Sequence, residues 1–138
     1  MLIPGIKRTD PDKIFAIVHN DHATATLVHG YAVIWETSSP THVGCSVITT
    51  TGGSSTLIAG VIHAGANGIA PMDFGMCQTY GYHAAVSAAA GITAGQQLST
   101  HTTDGMVEDD ADCEATESLG VALTNTASAA IAAHIRCM

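Results

Sequence analysis

From Lys13 to Glu36 the chain reads KIFAIVHNDHATATLVHGYAVIWE. Its apolar runs, IFAIV (14–18), TLV (26–28) and YAVIW (31–35), are short and rich in β-branched and aromatic residues, so they predict strands rather than helix. Between Gly30 and Trp35 the alternation is explicit. Tyr31, Val33 and Trp35 fall on one face, and Ala32 and Ile34 on the other.

The same pattern continues outward. TSSPTH (37–42) reads as a loop by composition. VGCSVITTT and TLIAGVIHA read as strands, and the TGGSS between them predicts a hairpin. GANGIAPMD (65–73) is loop-like, and FGMCQTYGY (74–82) is a strand with Met76, Gln78 and Tyr80 on one face. SLGVALT (118–124) is a short strand, and the tail alternates cleanly. There Ile131, Ala133, Ile135 and Cys137 oppose Ala132, His134 and Arg136. The alanine-rich segment 84–90 leaves helix and strand both open. Short strands at intervals of roughly ten residues with Gly or Ser turns define an all-β chain, a small barrel- or sandwich-like domain. Toward the N-terminus Pro4, Gly5 and Pro11 interrupt regular structure while Lys7, Arg8 and Lys13 gather. Residues 1–13 therefore read as an extended arm, and 14–138 as a single β-rich domain.

A chain of 138 residues can bury one real core. Only 12% of it is charged and 4% aromatic, which leaves its surface poorly guarded against association. A partner, or copies of the chain, should cover part of it. The formal charge is −8, and between Lys13 and Arg136 there is no Lys or Arg. Neutralising phosphates requires those residues, so nucleic acid is excluded as a partner, and an anionic membrane is disfavoured for the same reason. No apolar run is long enough for a membrane helix, and the basic residues follow the first apolar stretch, the wrong order for a signal peptide. Cys45, Cys77, Cys113 and Cys137 include no CxxC and are expected to be free thiols.

Chemistry is hard to find. Among eight histidines, His19/His22, His42/Cys45 and His134/Cys137 each set two possible metal ligands three residues apart. About one such pair is expected by chance, and on a strand residues three apart face opposite ways, so no metal is expected. No nucleophile elbow, P-loop or dinucleotide motif occurs. Asp109, Asp110, Asp112 and Glu114 lack the glycine and terminal glutamate of a calcium loop and read as a solvated acidic loop or edge. Tyr31 and Trp35 could form a sugar platform, but read better as core anchors. The expectation is a non-enzyme without catalytic residues or cofactor.

From Phe74 onward the order of elements resembles the capsid decoration (cement) proteins of tailed bacteriophages. The resemblance rests on Phe74-Gly75, Gln78, Gly81, Ala94-Gly95, Leu98, Asp104-Gly105 and Gly120-Val121-Ala122-Leu123, a little under half of the chain. The acidic stretch between Val107 and Ser118 and the alanine-rich 84–90 depart from it. The resemblance implies a homotrimer on the outer surface of a virion, made in the host cytoplasm and clamping major capsid protein subunits. Leu2, Ile3, Ile6, Lys7 and Arg8 are then the candidates for contacting a neighbouring subunit, since an extended arm can add hydrogen bonds to a free sheet edge.

Two other readings compete. One is a carbohydrate-binding or adhesive β module on a virion or cell surface. The other is a small metal-dependent enzyme or zinc-stabilised module using the His and Cys pairs. Protonating all eight histidines would bring the formal charge from −8 to about zero, which predicts poorer solubility or altered shell binding in mild acid.

Overall fold

The computed structural model describes residues 12–49, 55–109, 118–126 and 129–137. Nine strands and no helix occur among them. In chain order they are β1 (Ile14–Asn20), β2 (Ala32–Trp35), β3 (Ser46–Ile48), β4 (Ile58–His63), β5 (Phe74–Ser87), β6 (Gln97–Thr100), β7 (Val107–Asp109), β8 (Gly120–Ala122) and β9 (Ala130–Arg136). The chain is all-β. The spatial order is β1-β3-β2-β4-β5-β9-β8-β6-β7, and an additional β1–β5 pairing closes the first five strands into a ring.

Two cores result. Inside the ring, Val18, Val33, Val47, Ile62 and Cys77 pack with Leu27 and Ile69, while Ala16, Tyr31 and Trp35 border them. These are the inward positions that period two selects: Ala16 pairs with Cys77, and Cys77 with Ile62. The second core lies on the outside of the ring. Ala32 and Val61 cluster there with Val86, Leu98, Val107, Leu119, Ile131, Ala133 and Ile135 of the strands that continue beyond it. The ring strands β2 and β4 are thus apolar on both faces at Ala32–Val33 and Val61–Ile62, which is why their sequences read as continuous apolar runs.

Strand β5 joins the two parts. Its first half pairs with β1 and β4, and from Tyr80 it pairs with β9, ending with Ser87 opposite Ala130. The transfer occurs at Gly81, whose φ of +99° suits glycine, and a Cβ there would lie 2.2 Å from the carbonyl oxygen of Asp12.

Several expectations need correction. VGCSVITTT contributes only β3, after a turn at 41–45. The hairpin between β3 and β4 is not formed, because β2 lies between them, Ile34 facing both Ile48 and Ile58. TLV supplies a single bridge, Leu27 to Ile69, rather than a strand. Segment 84–90 is strand through Ser87 and a bridge at Ala88. The C-terminal strand has the expected face, with Ile131, Ala133 and Ile135 buried.

The described cysteines are free thiols. Burial raises the Cys77 thiol far above its ordinary range and pushes Cys137 up to about 12, although Cys137, like Cys45, is partly exposed. A thiol reagent at neutral pH should therefore modify Cys45 rapidly, Cys137 more slowly, and Cys77 only on unfolding. Mass spectrometry of the labelled peptides with and without denaturant checks this, and fast labelling of Cys77 in the folded protein would contradict the packing.

Candidate functional site

The second core covers the outer face of the ring at β2 and β4 and leaves it bare at β1 and the start of β5. Period two puts Phe15 and Ile17 on that face, and Ile17 lies directly opposite Met76. Ile17 is 71% exposed and Met76 47%, with Phe74 and Phe15 also exposed beside them. These neighbouring side chains form a contiguous exposed apolar stripe rather than scattered exposure.

A group of histidines borders this face. His63, the last residue of β4, pairs with Met76, and its ring centroid lies 5.1 Å from that of Phe15. His83 comes from the second half of β5, and His29 from the loop before β2. Gly30 holds that loop in place: its N–H donates to Ile62 and its carbonyl accepts from Ser87, each at 2.9 Å. Its φ is +88°, and a Cβ would lie 2.3 Å from the Ala85 carbonyl oxygen. Ala64 N–H then donates to His29 Nδ1 at 3.2 Å, and Ala85 N–H to His83 Nδ1 at 3.3 Å.

The three rings meet with centroids 4.9 Å (His29–His83), 5.3 Å (His29–His63) and 6.0 Å (His63–His83) apart. One nitrogen from each lies within 4.8 Å of the other two, the one such group of three metal-ligating side chains among the described residues. Lys13, Gln78 and Ala84 complete a cleft of about 80 Å³. His83 and Gln78 are buried, and His63 Nδ1, His83 Nε2 and Gln78 Oε1 have no hydrogen-bond partner. The Gln78 amide is fixed the other way round, its Nε2 donating to the carbonyls of Tyr80 and Tyr82 at 3.1 and 3.0 Å. Burial, with the His29 and His63 charges, brings His83 down to about 4. Burial, then His29 and Lys13, also lower His63. Both shifts favour the neutral imidazole at His63 and His83.

The pairs visible in the sequence go elsewhere. His22 Nε2 accepts from Thr49 N–H at 3.0 Å, while His19 stacks edge-on against His42 at 4.4 Å and lies near Phe74. His19 Nδ1 is 3.3 Å from Asp21 Oδ1, without the geometry of a hydrogen bond. The Cys45 thiol contacts the His42 carbonyl, His134 packs edge-on against Tyr80, and the Cys137 thiol contacts the Leu119 carbonyl. Tyr31 and Trp35 border the ring core, and Trp35 also lines an apolar groove of about 380 Å³ with Pro40, Val43 and Leu57. Leu2, Ile3, Ile6, Lys7 and Arg8 lie outside the described residues.

Sequence reasoning passed over His29, His63 and His83 because they stand 34 and 20 residues apart. The sequence signal that existed was weak: His63 closes an apolar run and shares the face of Val61. Comparison with protein-family models, curated proteins and solved structures gives no match. The fold and this face therefore define the class of protein only as an all-β domain with an uncovered apolar surface.

Proposed function

We propose that the chain is a structural docking module that decorates the outer shell of a tailed phage, seated on major capsid protein as a homotrimer. The observation that carries the reading is the bare stripe of Phe15, Ile17, Phe74 and Met76, on a ring whose outer face is covered at β2 and β4. Its exposure is unfavourable in an isolated chain and is relieved by burial against protein. Half of the stripe lies on β1, the strand entered directly from residues 1–13, so a face and an arm can act on the same neighbour. Of the residues that carry the resemblance, Phe74-Gly75, Gln78 and Gly81 lie on β5, Leu98 on β6 and Gly120 to Ala122 on β8, while Ala94-Gly95, Asp104-Gly105 and Leu123 lie outside the strands.

In this reading the work is thermodynamic. A module that binds only the mature, expanded shell stabilises that state by mass action, and several modest contacts per trimer combine through multivalency. No catalytic step is involved.

Light scattering of the purified protein is expected to give a mass near three times 14.1 kDa. The protein should cosediment with expanded shells of the phage that encodes it, and Ile17→Glu should weaken that binding at least tenfold. Wild-type protein that fails to bind such shells would overturn the reading. Saturable glycan binding lost on Trp35→Ala would move it to the carbohydrate-binding alternative, for which the groove beside Trp35 would be the site.

A further inference from the structure

We propose that His29, His63 and His83 form a binding site for a single borderline divalent metal ion of the zinc type. The inference is independent of the docking function and rests on the convergence of three imidazoles from three separate segments.

Imidazole nitrogen is a ligand for Zn²⁺, Ni²⁺ and Cu²⁺, and three histidines with a further open position are a known zinc arrangement. Tetrahedral coordination at about 2.0–2.1 Å puts ligand nitrogens about 3.4 Å apart. Here they lie within 4.8 Å before any ion draws them in. His29 and His63 are half-buried side chains at a cleft edge and can rotate, while buried His83 provides the fixed point.

The second observation is the set of buried polar atoms without partners. His63 Nδ1, His83 Nε2 and Gln78 Oε1 are buried with no partner in good hydrogen-bond geometry, an arrangement proteins rarely keep without a use. Gln78 Oε1 cannot be relieved by flipping the amide, because Nε2 is held by two carbonyl acceptors. A cation at the histidine nitrogens would satisfy imidazole lone pairs in the same cleft once the Nε2 protons are displaced, with the Gln78 oxygen available as a weak additional ligand or as an acceptor for a metal-bound water.

Two features oppose binding and set its strength. Accepting the Ala64 and Ala85 N–H groups at Nδ1 keeps the proton on Nε2 of neutral His29 and His83. Ligation through Nε2 therefore shifts that proton away and gives up two long hydrogen bonds. The Lys13 ammonium also lines the cleft, 5.9 Å from the Tyr82 ring centroid, and repels a second cation. Lys13 is thus the residue that tunes affinity.

The test is calorimetric titration of chelator-treated, full-length protein with ZnCl₂ at pH 7.5, repeated with CoCl₂ while recording the visible spectrum. One Zn²⁺ per chain is expected with micromolar or tighter affinity. Co²⁺ should give the intense d–d bands of a four-coordinate site. The double variant His29→Ala/His63→Ala, which leaves buried His83 in place to preserve folding, should lose at least tenfold in affinity and lose any Zn²⁺-induced rise in Tm. Lys13→Gln should bind several-fold more tightly. Absence of saturable binding, or unchanged binding by the folded double variant, would overturn the site and assign any zinc uptake to the other histidines.

Discussion

Replacing Gly30 with alanine is expected to lower the unfolding free energy by about 3 kcal/mol or more, a very large effect for one added methyl group. Two costs combine. At φ +88° an L side chain is strained by about 1–3 kcal/mol. The new Cβ would also lie 2.3 Å from the Ala85 carbonyl oxygen, a backbone atom that moves only if β5 moves with it. Displacement would break the bonds from Gly30 N–H to Ile62 and from Ser87 N–H to Gly30, the stitches that hold the loop against β4 and β5. His29 should consequently leave the histidine cluster. Urea unfolding followed by circular dichroism measures the first effect, and the His29 imidazole resonances report the second. A Gly30→Ala protein within 1 kcal/mol of wild type would mean that the loop is not clamped in this way.

Acid should destabilise the metal-free protein through His83. Its folded-state value, about 4, lies below the unfolded value near 6.5, so between those limits the unfolded chain binds a proton that the folded chain does not. Stability is full above pH 6.5, falls by about 1.4 kcal/mol per pH unit below it, and levels off near pH 4, a loss on the order of 3 kcal/mol from this group. Of the groups facing His83, the charges of His29, His63 and Lys13 repel its protonated form, while a hydrogen bond to the Ile62 backbone opposes them in part. The lowered His63 adds to the slope. Denaturant midpoints measured from pH 7 to pH 4 in the presence of a chelator check the prediction. His83→Gln should flatten the dependence, and a flat wild-type profile would sink it. Loss of net charge as histidines protonate would act on solubility over part of the same range, but by association, which concentration dependence separates from unfolding.

Much of the local architecture is legible in the residues. YAVIW, FGMCQTYGY and AAIAAHIRC alternate because successive side chains on a strand point to opposite faces, and that rule needs only neighbours in the chain. The buried positions Val33, Cys77, Ile131, Ala133 and Ile135 follow from it, as does the all-β class. Gln78 shows where the rule stops. It shares the face of Met76 and Tyr80, yet it is fully buried while they are exposed, because the cleft with Lys13, His29, His63 and His83 closes over it.

Strand partners are a different matter. A glycine-rich linker makes a hairpin between β3 and β4 locally reasonable, but β2 offers both its edges and lies between them. Closure of the ring by β1 and β5 joins residues some sixty positions apart, such as Ile17 and Met76. Such pairings depend on the cost of closing long loops against the packing of a shared core, and no short window of sequence contains either quantity. The chain by itself determined the all-β class and the buried faces of its clearly alternating strands, such as β2 and β9. The tertiary structure alone decided which apolar residues stay uncovered and that His29, His63 and His83 meet, because proximity across strands is set by pairing order and not by spacing along the chain.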